Sequence, residues 1–284
     1  MTRLPRVLQV YNEYRRYGGE DAVVRLEAEM LARHGHEVEL LRASTTELDG
    51  AGILRLAAAG FGAVWSFRGY AAMKKAIARF SPDIVHVHNE FPLLSPSIFW
   101  ACHRADVPVV QTMHNYRLAC ANAHLLRGDR PCEDCVGRFP WPALRHRCYG
   151  PSLPRTAAVA ARNVVHRWLG TYRKHVDAFI VLTEFSKDLL VRAGLPEERV
   201  FVKPNFQIAA LTAGPAALAE ICLCGRHLPF QGPAFAHRSL EKNCARRPPT
   251  AHPRRRAGTR PARTALRGKF RHRLVRRAAA REGH

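Results

Sequence analysis

Short apolar runs of strand length alternate with helical segments along the first two hundred residues, and this order constrains the fold more than any other feature. The runs span residues 6–12, 37–41, 83–89, 108–112, 178–183 and 200–203. Buried strands that alternate with helices are typical of a parallel sheet covered on both faces. The sequence therefore predicts an α/β fold, built on a Rossmann-like, doubly wound parallel sheet.

The segments between the strands carry helix signals. Apolar residues recur at helical spacing between residues 20 and 34, where Gly35 ends the pattern. Ser95 and Pro96 offer an N-cap and a first-turn proline for a helix that runs to about residue 104. Further helices are predicted within 51–80 and over 154–175 and 186–193. A doubly wound sheet needs crossover helices of this kind.

Polar residues gather where the predicted strands end. Because ligands of such sheets bind at the carboxyl ends of the strands, these loops together predict a site. Taken singly, each residue also fits a purely structural role: a histidine inside a strand, such as His86, is more often a packed core residue. The glycine pair forms a turn or offers backbone N–H groups to a phosphate, and residues at a helix start act as caps. The loops contain Asn12, Gly18, Gly19, His88, Asn89, Glu90, His114, Asn115, Tyr116, Thr183, Glu184 and Ser186.

Charge divides the chain into a body and a tail. The net charge is +22, yet residues 1–206 hold 28 basic and 20 acidic side chains, whereas residues 207–284 hold 17 and 3. From residue 241 onward there are 13 arginines and 2 lysines. The tail is interpreted as disordered, either an arginine-rich arm for polyanions or the product of a shifted reading frame in a GC-rich gene, which we favour. Nucleic acid is not expected as a partner, because the tail lacks interleaved aromatic residues.

Four of the eight cysteines fall in one loop-rich segment, at Cys120, Cys132, Cys135 and Cys148. The two-residue spacing between Cys132 and Cys135, with two further thiols nearby, is suitable for a structural zinc ion. Four reduced thiols in a folded loop, or a disulfide, are the alternatives.

The amino-terminal residues include Arg3, Pro5 and Arg6, which do not suit a secretory signal, and no apolar stretch approaches the length of a membrane span. The expected location is therefore the cytoplasm, where thiols stay reduced. Peripheral contact with the inner membrane face is the further expectation, since the basic body could attract anionic lipid, although an ordinary solvated surface explains its charge nearly as well.

Several ordered motifs resemble the amino-terminal domain of family 4 glycosyltransferases, and together they cover about residues 5–206. They are Val7-Leu-Gln-Val-Tyr-Asn12, Tyr17-Gly-Gly-Glu20, Pro82-Asp-Ile-Val-His-Val-His-Asn89, Val109-Val-Gln-Thr-Met-His-Asn-Tyr116, Phe179-Ile-Val-Leu-Thr-Glu-Phe-Ser186 and Val202-Lys-Pro-Asn205. The resemblance implies one half of a GT-B fold, in which two Rossmann-like domains face each other across a cleft. It implies metal-independent, retaining transfer from a nucleotide-sugar to a glycan or lipid-linked acceptor, with no cofactor for catalysis.

The resemblance also implies roles for single residues. Gly18 and Gly19 match the loop that closes on the donor diphosphate and acceptor, and His114 matches a histidine near the sugar. His114 would hydrogen-bond a sugar hydroxyl or the acceptor rather than act as a general base. Glu184 and Ser186 would line the acceptor side, while Asn89, Glu90 and Asn115 extend the predicted substrate-binding edge.

The sequence departs from the family after Asn205. The family's donor domain carries two glutamates separated by seven residues, and the acids here, Glu220, Glu241 and Glu282, do not form that pair. Three hypotheses follow: a glycosyltransferase that is incomplete as written, an inactive remnant or subunit of a split enzyme, and a nucleic-acid-binding protein led by its tail.

Overall fold

The computed structural model describes residues 3–13, 18–45, 60–150 and 152–205. The predicted tail at 207–284, and the part of the predicted helical segment that precedes residue 60, lie outside these described residues. The following account concerns the described ranges.

Eight strands form two sheets. They are β1 (Val7–Glu13), β2 (Val38–Ser44), β3 (Ile84–Val87), β4 (Val109–Met113), β5 (Leu126–Arg127), β6 (Arg130–Pro131), β7 (Ala178–Val181) and β8 (Val200–Val202). The main sheet has the order β2-β1-β3-β4-β7-β8, and each of its neighbouring pairs is parallel. β5 and β6 form a short antiparallel hairpin. The predicted Rossmann-like parallel sheet is confirmed.

Seven helices accompany the strands: α1 (Gly19–Arg33), α2 (Phe67–Phe80), α3 (Ser97–Arg104), α4 (Trp141–His146), α5 (Leu153–Trp168), α6 (Thr171–His175) and α7 (Glu184–Arg192). Residues 60–64 are also helical, and a 3₁₀ turn spans Glu197–Arg199. The apolar stripes of the helices cover the faces of a sheet whose strands β1, β3, β4 and β7 are almost wholly buried.

The strand order reverses at β1. The chain moves from β1 outward to β2 and then returns to place β3 on the other side of β1, so that Val10 lies between Leu41 and Val87. In open α/β sheets this reversal leaves a crevice at the carboxyl ends of the strands, where ligands bind. The topology therefore places the ends of β1 and β3 at the expected binding edge.

The segment expected to form one helix over 154–175 forms two, α5 and α6. Gly170 separates them with a φ angle of 67°, in the left-handed region that residues with a Cβ rarely adopt. The apolar spacing continues across the break, which is why periodicity alone did not reveal it.

Two hydroxyl caps fix helix starts that the sequence placed less accurately. Ser66 accepts a hydrogen bond from the Gly69 N–H and begins α2, while Thr183 accepts one from the Ser186 N–H and begins α7 at Glu184. Such caps satisfy backbone donors that have no partner within the helix. Among the described helices, none is long and apolar enough to cross a membrane.

Candidate functional site

Two histidines from neighbouring strands meet at the carboxyl edge of the sheet. His88 follows β3 and His114 follows β4, and His88 Nδ1 lies 3.1 Å from His114 Nε2. Their rings stack at a centroid distance of 5.4 Å. A short pair of ring nitrogens requires one nitrogen to donate and the other to accept, so the two tautomers are coupled.

A carboxylate lies beneath this pair. Glu27 of α1 approaches His86 Nδ1 at 3.6 Å and His88 Nε2 at 3.5 Å with one oxygen, while its other oxygen contacts the Lys203 ammonium. His86 Nε2 lies 2.8 Å from Thr112 Oγ1. The Glu27 carboxylate can only accept hydrogen bonds, and it already forms an ion pair with Lys203. The ammonium group of Lys203 therefore balances the negative charge of Glu27.

Burial keeps all three histidines neutral. It lowers the pKa of His86 and the pKa of His114 to about 4, and it holds the pKa of His88 well below its ordinary value. The neighbouring Lys203 charge lowers all three further, and the histidines lower one another's pKa where they face each other. Neutral imidazoles have one donor and one acceptor each, which makes this a hydrogen-bonding array at neutral pH.

The glycine pair begins α1 beside this edge. Gly18 has an extended backbone and its N–H donates to Asp21 Oδ2 at 2.8 Å, while Gly19 is the first helical residue. A Cβ at Gly19 would meet no atom within 4 Å, and one at Gly18 would meet only that Asp21 oxygen, at 3.8 Å. Within the described chain, neither the φ angles nor close contacts require glycine at these two positions. The backbone of Gly18 and Gly19 is therefore open on the side where side chains would lie.

The next residue, Glu20, connects the glycine loop to β3. Its carboxyl group hydrogen-bonds to Asn89, and burial raises its pKa to about 8, with Asp21 and Glu90 adding to the rise. Glu20 Oε1 is buried and has no hydrogen-bond partner. A carboxyl group that stays protonated near neutral pH leaves the start of α1 free of one negative charge, which suits an anionic ligand at that helix terminus.

Glu90 belongs to a buried network of hydrogen bonds and one ion pair. It is paired with Arg162 of α5, and it also accepts from Tyr172 Oη at 3.1 Å and Gln111 Nε2 at 3.3 Å. Arg162 is only 3% exposed. Both oxygens of Glu90 are therefore engaged within the chain, and the network supports the floor of the site.

The two asparagines shape the loops that carry them. Asn89 Oδ1 accepts from the Phe91 N–H at 2.9 Å, and Asn115 Oδ1 accepts from the Arg117 N–H at 3.0 Å. Such turns hold the backbone after a strand in a defined path.

A small cavity of about 20 Å³, with room for about one water, lies between these loops and is lined by His88, Asn89, His114, Asn115 and Arg162, among others.

The α7 residues take different positions. Ser186 is buried, and its hydroxyl lies 3.1 Å from Tyr116 Oη and 2.9 Å from Thr183 Oγ1, which connects α7 to the loop after His114. Glu184 is exposed in the first turn of the same helix. The structure thus brings Gly18, Gly19, Asn89, Glu90, His114 and Asn115 to one edge, and Ser186 joins them through Tyr116.

The four cysteines of the inserted segment border a second pocket. Cys120 is buried and the others are half-buried, and all are free thiols. Burial raises the pKa of Cys135 and that of Cys148, and the neighbouring thiols raise both further. The short hairpin β5–β6 and the helix α4, which sequence patterns did not predict, build this segment.

Two groups of site residues were missed, although the sequence held a signal for each. Glu27 occupies the apolar stripe of α1, one helical turn from Val23 and Val24, where a solvated glutamate is not expected. Arg162 lies in the buried stripe of α5 together with Asn163 and His166. A charged residue on an apolar helix face indicates a buried partner.

The chain is similar to known proteins over most of its described residues. The sequence profile of Glycosyltransferase Family 4 matches residues 17–206, about two thirds of the chain. One similar solved structure is a UDP-N-acetylglucosamine 2-epimerase from Rickettsia bellii, at 12% identity and a TM-score of 0.38. The alignment covers 71% of this chain and 45% of that one, so the chain spans less than half of its length. No curated protein matches the chain.

The match runs from the glycine loop, through the histidine pair, to the end of the last strand of the sheet. This chain therefore belongs to glycosyltransferase family 4.

Proposed function

We propose that residues 3–205 form the acceptor-side half of a retaining glycosyltransferase that uses a nucleotide-sugar donor and a polysaccharide or lipid-linked acceptor. The observation that carries the proposal is the coupled pair of His88 and His114 beside the glycine loop, at the reversal point of the sheet. Membership of the family supports sugar transfer as the reaction. The position of the histidine pair beside the glycine loop supports this edge of the sheet as the place where the sugar binds.

The Glu27 carboxylate favours a particular arrangement of protons. Since Glu27 Oε2 faces His88 Nε2 at 3.5 Å, the proton of His88 is best held on Nε2. His88 Nδ1 then accepts from the Nε2–H of His114, which leaves His114 Nδ1 unprotonated. His114 therefore supplies an acceptor for a sugar hydroxyl, and a hydroxyl held in this way is oriented for transfer.

The transfer breaks the bond between the anomeric carbon and the diphosphate oxygen and forms a bond to the acceptor hydroxyl oxygen. The diphosphate leaves with the bonding electron pair, and the acceptor oxygen attacks the same face of the anomeric carbon, which retains its configuration. The acceptor hydroxyl gives its proton to an oxygen of the departing diphosphate. Negative charge grows on the departing diphosphate, and the backbone N–H groups at the start of α1 could stabilise it. Protonated Glu20 would not repel that charge.

The test measures acceptor binding and donor turnover separately. The full chain is incubated with UDP- and GDP-sugars and with lipid-linked or soluble oligosaccharides, and transfer and binding are followed by mass spectrometry and ligand-observed NMR. Glycan binding that falls at least tenfold in His114→Ala and less in His114→Asn, which keeps a side-chain acceptor, would support the proposal. His34→Ala, on the exposed end of α1, is the control.

The outcomes distinguish the alternatives. Glycan binding without donor turnover indicates an acceptor half that works with a separately supplied donor half. Turnover by the full chain shows that the donor site is present outside the described residues. Absence of both glycan binding and turnover would indicate an inactive remnant and overturn the proposal.

Peripheral contact with an anionic membrane is part of the same proposal. Phe139, Trp141 and Trp168 are 58%, 69% and 83% exposed, and Arg138 and Arg167, which precede Phe139 and Trp168 in the chain, are joined by a 2.9 Å hydrogen bond from Arg167 Nη1 to the Arg138 carbonyl. Aromatic rings beside arginines are typical of the membrane interface.

Co-sedimentation with vesicles that contain phosphatidylglycerol tests this contact. Trp141→Ala and Trp168→Ala together should reduce bound protein several-fold, whereas Leu40→Ala, an exposed apolar residue on the edge strand β2, should not. Equal binding by all variants would contradict the contact.

A further inference from the structure

The segment between β4 and α5 brings four cysteines to one pocket from three separate places in the chain. Cys120 lies in the loop between β4 and β5, Cys132 and Cys135 follow the hairpin β5–β6, and Cys148 follows α4. All four line one small pocket of about 20 Å³. Sequence spacing alone could not show that Cys120 and Cys148, 28 positions apart, lie on the same side as the central pair.

We propose that Cys120, Cys132, Cys135 and Cys148 bind one structural zinc ion in this pocket. Four thiolates form a closed tetrahedral set, which is the usual structural zinc site, and a two-residue spacing supplies two ligands from one turn. The proposal is independent of the transfer reaction, and the metal would stabilise the cysteine segment rather than the parallel sheet.

The local backbone is arranged as such a site needs. The Cys132 N–H donates to the Leu125 carbonyl at 2.8 Å, and the Cys148 N–H donates to the Ala143 carbonyl at 3.1 Å, which fixes where both side chains begin. The backbone of Ala143 also hydrogen-bonds to the Cys135 thiol. Hydrogen bonds around the ligands of this kind orient them and are a regular part of metal sites.

The pocket walls suit a buried ion held by sulfur. They are formed largely by small and apolar side chains such as Ala119, Ala121 and Leu125. Arg127 borders the same pocket and pairs with Asp134 at 2.7 Å, so a cation is at hand for a four-thiolate centre that carries net negative charge. Among the described residues no three of the four sulfurs lie within 4.8 Å of one another, so zinc binding requires the sulfurs to approach until each forms a bond of about 2.3 Å.

The segment is joined to the main core by Ala119, Cys120 and Leu125, but its own secondary structure is short. Two of its residues, Ala121 and Ala143, belong to a small buried cluster that they share with Ala63, Phe91 and Val159, and its two strands have two residues each. It nevertheless touches both neighbouring helices: Glu133 pairs with Arg192 of α7, and the Arg138 carbonyl accepts from Arg167 of α5. A small unit of this kind commonly needs a metal or a cross-link to fold.

The site would also hold the loop that carries His114. The Cys120 N–H donates to the Tyr116 carbonyl at 2.8 Å, and the Tyr116 N–H donates to the Ala123 carbonyl at 3.1 Å. A metal that fixes Cys120 therefore fixes the backbone two residues beyond His114.

The first experiment needs no variant. The full chain is expressed in zinc-supplemented medium, purified under reducing conditions and analysed by elemental mass spectrometry, and we expect one zinc per chain. Replacement with cobalt should produce the absorption bands of tetrahedral thiolate ligation. Metal-free protein with all thiols titratable, or protein in which these thiols are oxidised to a disulfide, would overturn the proposal.

Variants then test the ligand set. Cys132→Ser should reduce the bound zinc at least fivefold, whereas Cys102→Ala, a buried cysteine of α3 outside the pocket, should retain it. His146→Asn should also retain it, because His146 lines the pocket but is not a proposed ligand. Loss of zinc from His146→Asn would overturn the four-cysteine set.

Chelation separates a structural ion from an adventitious one. Removal of zinc should lower the melting temperature, and its return should restore it. Zinc that a chelator removes with no change in melting temperature or in protease resistance of residues 117–150 would overturn the structural role.

Discussion

His88 and His114 share one hydrogen bond across neighbouring strands, with Nδ1 and Nε2 3.1 Å apart. The contact joins the end of β3 to the end of β4 beside the reversal point of the sheet. Because His88 also faces Glu27, the ion pair of buried Glu27 and half-exposed Lys203 is connected to the edge at which a sugar is proposed to bind.

Acid should destabilise the protein through these histidines. His86 and His114 have pKa values lowered to about 4, against an ordinary value of 6.5. Below pH 6.5 the unfolded chain binds protons that the folded protein does not. The stability that these neutral histidines contribute is therefore complete above pH 6.5 and is lost as the pH falls toward 4. We expect the free energy of unfolding to fall on the order of 3 kcal/mol between pH 6.5 and 5, at about 1.4 kcal/mol per group and pH unit.

Urea denaturation at several pH values measures this loss. His86→Gln keeps a donor and an acceptor without titrating and should make the pH dependence shallower. His34→Gln, an exposed histidine at the end of α1, should leave the dependence unchanged. An equal pH dependence in the wild type and His86→Gln would contradict the assignment.

Removing the ionisable group of Glu20 should stabilise the protein in alkali. Burial raises the pKa of Glu20 to about 8, so the folded state holds a proton that the unfolded chain releases near pH 4.5, and stability is lost as the pH rises from 4.5 to 8. In urea titrations at pH 8.5, the free energy of unfolding of Glu20→Gln should therefore exceed that of the wild type by on the order of 1–3 kcal/mol. At pH 4.5 the two free energies should differ little. A constant difference at both pH values would show that the carboxyl group is ionised in the folded protein.

Gly19→Ala should separate stability from function. Its Cβ meets nothing within 4 Å and the position is helical, so the substitution should stabilise the fold by about 0.4–1 kcal/mol. It should still weaken transfer or nucleotide binding at least tenfold if a ligand approaches this backbone.

Gly35→Ala provides the contrast, because φ is +85° there and Leu4 Cδ1 lies 3.2 Å from the new Cβ. It should destabilise the fold. Unchanged ligand binding in Gly19→Ala would remove the glycine loop from the site.

Arg162→Met should destabilise the protein strongly. It leaves the Glu90 carboxylate buried without its cation, which typically costs about 3–5 kcal/mol. The double variant Arg162→Met, Glu90→Gln should recover part of the loss, because no charge is then left unpaired. Arg33→Met, which breaks the exposed pair with Glu29, should cost no more than about 0.5 kcal/mol in the same urea titration. A similar cost for both single variants would contradict the buried pair.

Local patterns were enough to predict the sheet and the edge at which its polar residues gather. Each strand of the main sheet is an apolar run that ends in polar residues, and the carboxyl ends of parallel strands meet at one edge. His88 and His114 could therefore be expected near each other before any coordinates. The break between α5 and α6 could not be predicted in the same way. Gly170 adopts a left-handed conformation there, but the apolar spacing continues across it, so only the backbone structure shows that α5 ends before this residue.

The partners of the site residues were decided by packing. The sequence by itself determined the alternation of strands and helices, the positions of the glycine pair and the family to which residues 17–206 belong. It could not determine that Glu27 reaches His88, that Arg162 neutralises Glu90, or that Cys120 and Cys148 border the same pocket as the central pair of thiols. Those contacts join residues up to 176 positions apart, as with Lys203 and Glu27, and only the crossing of helices over the sheet brings them together.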